Sequence, residues 1–162
     1  MKKTPIITSL LLLTFTFPVF AAKKISTAER LDFVSKEMKS VDACENHFQP
    51  RDFHPSTFGK DNQKISILAF AANGNVMVGN DTKAFQLVLN KGMIQAVNNG
   101  RVEKISYSID PKAFLKQLTS MDKFLTQALA IAQKDGKKKD VEHVSCAVAI
   151  VESAKKFHST KA

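Results

Sequence analysis

Residues 81–100 read DTKAFQLVLNKGMIQAVNNG, and whether they form one helix or two strands decides the class of the whole chain. Asp81 is a good N-cap, Phe85, Val88, Leu89, Gly92, Met93, Ala96 and Val97 fall at three-four spacing, and Asn99-Gly100 is a stop. Cap, stripe and stop agree, so the spacing predicts a helix. A hairpin that turns at Lys91-Gly92 and at Asn99-Gly100 is the alternative.

The flanking segments are short and apolar. KISILAFAA, residues 64–72, suits a buried strand or a short core helix, two states that periodicity does not separate. Asn73-Gly74-Asn75 and Gly79-Asn80-Asp81 read as turns. RVEKISYSI, residues 101–109, alternates at Ile105, Tyr107 and Ile109 and reads as a strand.

Helix signals are stronger at the two ends of the chain. Ser26-Thr27-Ala28-Glu29 has the form of a capping box. Leu31, Val34, Met38, Val41, Cys44 and Phe48 continue a stripe that predicts a first helix reaching Asn46–Gln49, before Pro50. Asp110-Pro111 starts a second strong helix, with Phe114, Leu118, Met121, Leu125, Ala128 and Ala132 on one face and a stop at Asp135-Gly136. A last helix is expected from about Asp140 to Phe157, with Val144, Ala147, Val148, Val151 and Ala154 inward. Between these, Pro50 to Asn62 reads as a loop pinned by Phe48, Phe53 and Phe58. The expected fold is therefore mainly α, a small helical bundle with room for a minor β element. An α+β domain with a small antiparallel sheet and three helices is the alternative.

The first residues carry an export signal: Lys2 and Lys3, an apolar run from Ile6 to Phe20, and Val19-Phe20-Ala21 as a cleavage site. Residues 1–21 are read as a cleaved signal peptide and 22–162 as one globular domain, in the periplasm or secreted. No later run is long enough to span a membrane. Without Lys2 and Lys3 the formal charge falls from +9 to about +7, which favours acidic partners.

Two cysteines, Cys44 and Cys146, in an oxidising compartment read as a disulfide between the first and last helices. The spacing also allows a zinc site, because His47 follows Cys44 by three residues and His143 precedes Cys146 by three, the ligand set of a closed Cys2His2 centre. A disulfide sulfur is not a thiolate ligand, so the two readings exclude each other. A third grouping, His47, Asp52 and His54, would serve a small metal-dependent hydrolase if the fold brought it together.

Catalytic signatures are otherwise missing. There is no G-x-S-x-G elbow and no phosphate-binding glycine loop, and the six glycines are isolated. Lys134, Lys137, Lys138 and Lys139 surround Asp135-Gly136 and offer a basic contact for an anionic surface. Lys155, Lys156 and Lys161 lie at the far end of the last helix. The sequence thus predicts an exported, non-enzymatic binding domain that uses no cofactor. It would contact a protein partner or an acidic phospholipid or polymer surface, with nucleic acid ranking below these.

Overall fold

A computed structural model describes residues 24–49 and 54–161. The expected signal peptide, Asp52 and Phe53 lie outside these residues.

The fold is α+β, and the expectation of a mainly α bundle is corrected by a six-stranded antiparallel sheet. In chain order the elements are helix α1 (Thr27–Met38), strands β1 (Ser56–Phe58), β2 (Ile65–Phe70), β3 (Asn75–Gly79), β4 (Lys83–Val88), β5 (Met93–Asn98) and β6 (Arg101–Ser106), then helices α2 (Pro111–Asp135) and α3 (Lys138–Lys161). The strands form a meander, each paired with its sequence neighbours.

The segment 81–100 is a strand, a tight turn and a second strand rather than a helix. Phe85 and Leu87 alternate inward on β4, and they pair with Ala96 and Ile94 on β5. Gly92 closes the connection at φ 58°, a left-handed conformation that glycine adopts at little cost. Asn99 and Gly100 both have positive φ, 48° and 80°, as a tight hairpin turn requires. The three-four spacing mixes the two faces of the hairpin: Phe85 and Ala96 lie on the face toward the helices, while Val88, Met93 and Val97 lie on the other. A continuous run of such residues satisfies both templates, and the β-branched and aromatic content decides for strands.

The inward residues Ile65, Ile67, Ala69, Val76, Val78, Phe85, Leu87 and Ile94 are all buried. Against them lies a helical layer of α2 and α3, which pack on each other more extensively than any other two elements. Phe114, Leu118, Met121, Leu125, Ala128 and Ala132 of α2 are buried, the stripe that the sequence predicts. Asp110 caps this helix by accepting from the Ala113 amide at 3.0 Å.

α1 keeps its capping box: the Glu29 amide donates to Ser26 Oγ at 3.1 Å, and the Ser26 amide donates to Glu29 Oε2 at 2.9 Å. It ends at Met38, earlier than expected, and the chain re-forms as a 3₁₀ turn, Asp42–His47, that carries Cys44. The disulfide therefore joins this turn, not α1 itself, to α3. Its Cα atoms are 4.8 Å apart across a sequence separation of 102. In the chain-entropy picture a closed loop of roughly 100 residues stabilises the fold by about 4.7 kcal/mol at most. No helix among the described residues is long and apolar enough to cross a membrane.

Candidate functional site

The 3₁₀ turn and the start of α3 meet at one edge of the sheet. β1 is only three residues long, with Ser56 opposite Ile67 and Phe58 opposite Ile65. Extending that register would put residue 54 opposite Ala69, but β1 begins at Ser56. Beyond that point the amides of β2's edge need other partners, because a buried N–H left unpaired is costly. The Ala69 amide donates to His143 Nε2 at 2.9 Å, and the Ala71 amide donates to the His47 carbonyl oxygen at 2.9 Å. The two histidines that flank the cysteines thus complete the sheet edge, one through its ring and one through its backbone.

The same contacts fix the chemistry of His143. Since Nε2 accepts from the Ala69 amide, the ring proton sits on Nδ1, which donates to Ser56 Oγ at 2.8 Å. A Ser–His pair that activates a nucleophile needs the opposite sense, with the imidazole accepting the hydroxyl proton. Ser56 and His143 are therefore a structural pair. Burial, with the nearby His47 and Lys139 charges adding to it, holds His143 at about 4, well below the usual histidine value.

The His47 and His143 rings pack at a tilt of 41°, with centroids 4.5 Å apart. The mirrored Cys44/His47 and His143/Cys146 spacing thus places four side chains together, yet with both sulfurs bonded to each other it does not form a Cys2His2 metal centre. Asn46, His47, His54, Lys139, Glu142 and His143 line a cavity of about 220 Å³ at this edge. Of the hydrolase grouping, His47 and His54 share this cavity, while Asp52 lies outside the described residues. Among the described residues, no three His, Cys, Asp or Glu side chains are placed to hold a metal ion.

The four lysines at the α2–α3 connection, Lys134, Lys137, Lys138 and Lys139, are all exposed. Lys138 reaches Glu142 at 3.9 Å, a solvated i,i+4 pair worth only a few tenths of a kcal/mol. Asp140 accepts from the Lys137 amide at 2.9 Å and so caps the start of α3. The far cluster behaves differently. Lys155 pairs with Asp122 at 3.1 Å in a partly sheltered position, and Lys156 pairs with Glu37 at 3.4 Å at the surface.

At that far end α3 carries a second buried histidine, which the sequence reading did not single out. His158 Nδ1 donates to the Ala154 carbonyl oxygen at 2.7 Å, and Nε2 accepts from Arg30 Nε at 3.3 Å. Burial is the main cause that holds His158 at about 4, with the Arg30 charge adding to it against the Ala154 bond. Tyr107 and Phe114 pack on its ring, with centroids 4.9 Å away in each case. Only a helix already assigned to α3, with position 158 one turn beyond Ala154 on its inner face, would have marked this residue.

No family model matches the chain, and no curated protein or solved structure matches it either.

Proposed function

We propose that this protein is an exported, non-catalytic binding domain that presents the turn Lys134–Lys139 to an acidic surface. The observation that carries the reading is the placement of Lys137, Lys138 and Lys139 at the start of α3. A helix N-terminus is the positive end of the macrodipole, and each cation there costs about 0.3–1 kcal/mol. Local stability favours acidic residues at these positions, and Asp140 alone supplies one. A run of lysines that works against its own helix is best accounted for by attraction to something outside the fold. The protonation sense of the Ser56–His143 pair supports a non-catalytic role at the neighbouring cavity.

The test is co-sedimentation with phosphatidylcholine vesicles, with and without phosphatidylserine, and binding to polyglutamate as a soluble acidic probe. At about 1 kcal/mol per lysine near an acidic membrane, Lys137→Glu, Lys138→Glu and Lys139→Glu together should lower affinity by at least a hundredfold. Binding to the acidic vesicles alone places the contact on lipid, and binding to polyglutamate alone points to an acidic protein or polymer. No binding to either probe, or binding that the triple variant retains, sinks the proposal.

A further inference from the structure

β6 is the last strand of the sheet, and among the described residues it pairs with β5 alone. The hydrogen bonds of the meander fix which of its backbone groups point outward. The Asn99 amide donates to the Thr82 carbonyl oxygen and the Tyr107 amide to that of Gly92, each at 2.8 Å. Bonding residues alternate along an antiparallel ladder, so Arg101, Glu103 and Ile105 are the residues of β6 that bond to β5. The N–H and C=O groups of Val102, Lys104 and Ser106 therefore face away from the sheet. The Ser106 carbonyl oxygen accepts from the Ile109 and Asp110 amides at 3.1 and 3.0 Å, which leaves Val102 and Lys104 as the edge. Arg101, Val102, Glu103 and Lys104 are all exposed, Val102 by 58%. At the turn beside them, a Cβ added to Gly100 would meet nothing within 4 Å.

Such an edge is a template for another strand, and its side chains decide which strand fits. A two-fold axis that joins two copies of β6 antiparallel stands perpendicular to the sheet and keeps opposite side chains on one face. The outward groups of Val102 and Lys104 then allow three registers. Lys104 opposite Lys104 sets two ammonium groups together. Val102 opposite Lys104 sets Glu103 against Glu103. Val102 opposite Val102 sets Arg101 of each copy against Glu103 of the other and opposes no like charges. Charges usually guard an edge strand. Here the same charges exclude two registers and favour the third.

We propose that β6 pairs antiparallel with β6 of a second copy about Val102, so that two sheets continue as one. The self-complementary charge of the strand selects a second copy as the occupant. Arg101 has no ion pair within the described residues, and Glu103 accepts from Gln117 Nε2 at 3.0 Å through Oε2, which leaves Oε1 for the guanidinium. The Arg101–Glu103 pairs fall at the non-hydrogen-bonded positions, where opposite side chains come closest. Val102, the one exposed apolar residue of the strand, is covered by its own copy. The formal charge of about +7 per mature chain opposes association, and the contact is one strand wide. The dimer should therefore be weak, with a dissociation constant on the order of 100 µM to 1 mM. The axis keeps both helical layers on one side of the joined sheet, but the pairing does not depend on the lysine turn.

Sedimentation equilibrium of the mature chain from about 10 µM to 2 mM tests this, and a monomer–dimer equilibrium is expected. Arg101→Glu and Glu103→Arg should each weaken it about tenfold, because two cross-strand pairs become like-charged at once. The combined Arg101→Glu/Glu103→Arg variant should restore it. General repulsion cannot mimic this pattern, since the first reversal lowers the net charge and the second raises it. Val102→Cys should cross-link to its own copy on oxidation faster than Lys104→Cys, because position 102 faces itself and position 104 faces Gly100. Circular dichroism establishes that each variant is folded. A chain that stays monomeric throughout the range overturns the proposal, including the case where the edge serves a different strand. A dimer that either single reversal leaves intact, no recovery in the combined variant, or equal cross-linking at 102 and 104 overturns it too.

Discussion

The two ends of α3 solve the same problem with different means. At the start of the helix His143 joins the helical layer to the sheet edge, accepting from the Ala69 amide and donating to Ser56. At the other end His158 joins α1 to α3, accepting from Arg30 and donating to the Ala154 carbonyl oxygen. Both sites need one acceptor and one donor in a dry interior, and neutral imidazole offers both at fixed geometry. The difference lies in what backs them up. The first end is also held by the Cys44–Cys146 bond. The second rests on non-covalent contacts alone: Phe33 on Phe157 at 4.9 Å, and Glu37 accepting from Ser153 at 2.9 Å. A histidine linker costs nothing at neutral pH but makes the joint sensitive to acid, and only one joint carries a bond that acid does not touch.

The largest test of this comparison is pH. Both histidines titrate at about 4 in the fold and near 6.5 when unfolded, so between these values the unfolded chain binds more protons. Stability is therefore full above about pH 6.5 and falls as the pH drops towards 4. The loss should be on the order of 3 kcal/mol per histidine, about 6 kcal/mol for the two. Urea unfolding at a series of pH values measures it. His143→Gln and His158→Gln should each remove about half of the slope; a slope that survives in the double variant would show that other groups govern acid lability.

Reduction separates the two ends. Breaking the disulfide should lower stability by up to about 4.7 kcal/mol, or by less where the reduced chain keeps residual structure. Hydrogen exchange should accelerate first in Asp42–His47 and the first turns of α3, while the Arg30–His158 end keeps its protection. Earlier loss of protection in α1 would reverse the assignment of the stronger end.

The smallest expected effect belongs to Tyr107, which packs on His158. Its hydroxyl is buried and has no hydrogen-bond partner among the described residues. Removing an unpaired buried hydroxyl is neutral or favourable, so Tyr107→Phe should leave the unfolding midpoint unchanged or raise stability by about 1 kcal/mol. A destabilisation of more than 1 kcal/mol would mean that the hydroxyl contributes a bond to the joint.

The helical ends of the molecule are legible in the sequence because their signals are local. The Ser26–Glu29 capping box, the Asp110-Pro111 start and the Asp135-Gly136 stop each state a boundary within a few residues, and α1 and α2 obey them. The pairing of Cys44 with Cys146 is legible from their number, since the sequence holds these two cysteines alone. The sheet is less legible. Short strands with half-buried outer faces, such as β4 and β5, put apolar residues at four of their six positions and on both faces, so the period-two signal is diluted. The cavity at the sheet edge is the hardest part. His47 and His143 can be linked by their spacing from the cysteines, but Ser56 and the Ala69 amide enter through strand register, and sequence spacing carries no trace of it.

The disulfide also sets an order of events. Cys44 must wait through 102 further positions before its partner is made. All six strands and α2 lie between the two sulfurs. When the chain emerges amino-terminus first, the sheet can be drawn together before the bond exists, and closure comes near the end as a lock on a finished arrangement. Until α3 arrives, one thiol stays open to exchange with any other, so the last helix determines when the molecule becomes safe from mispairing.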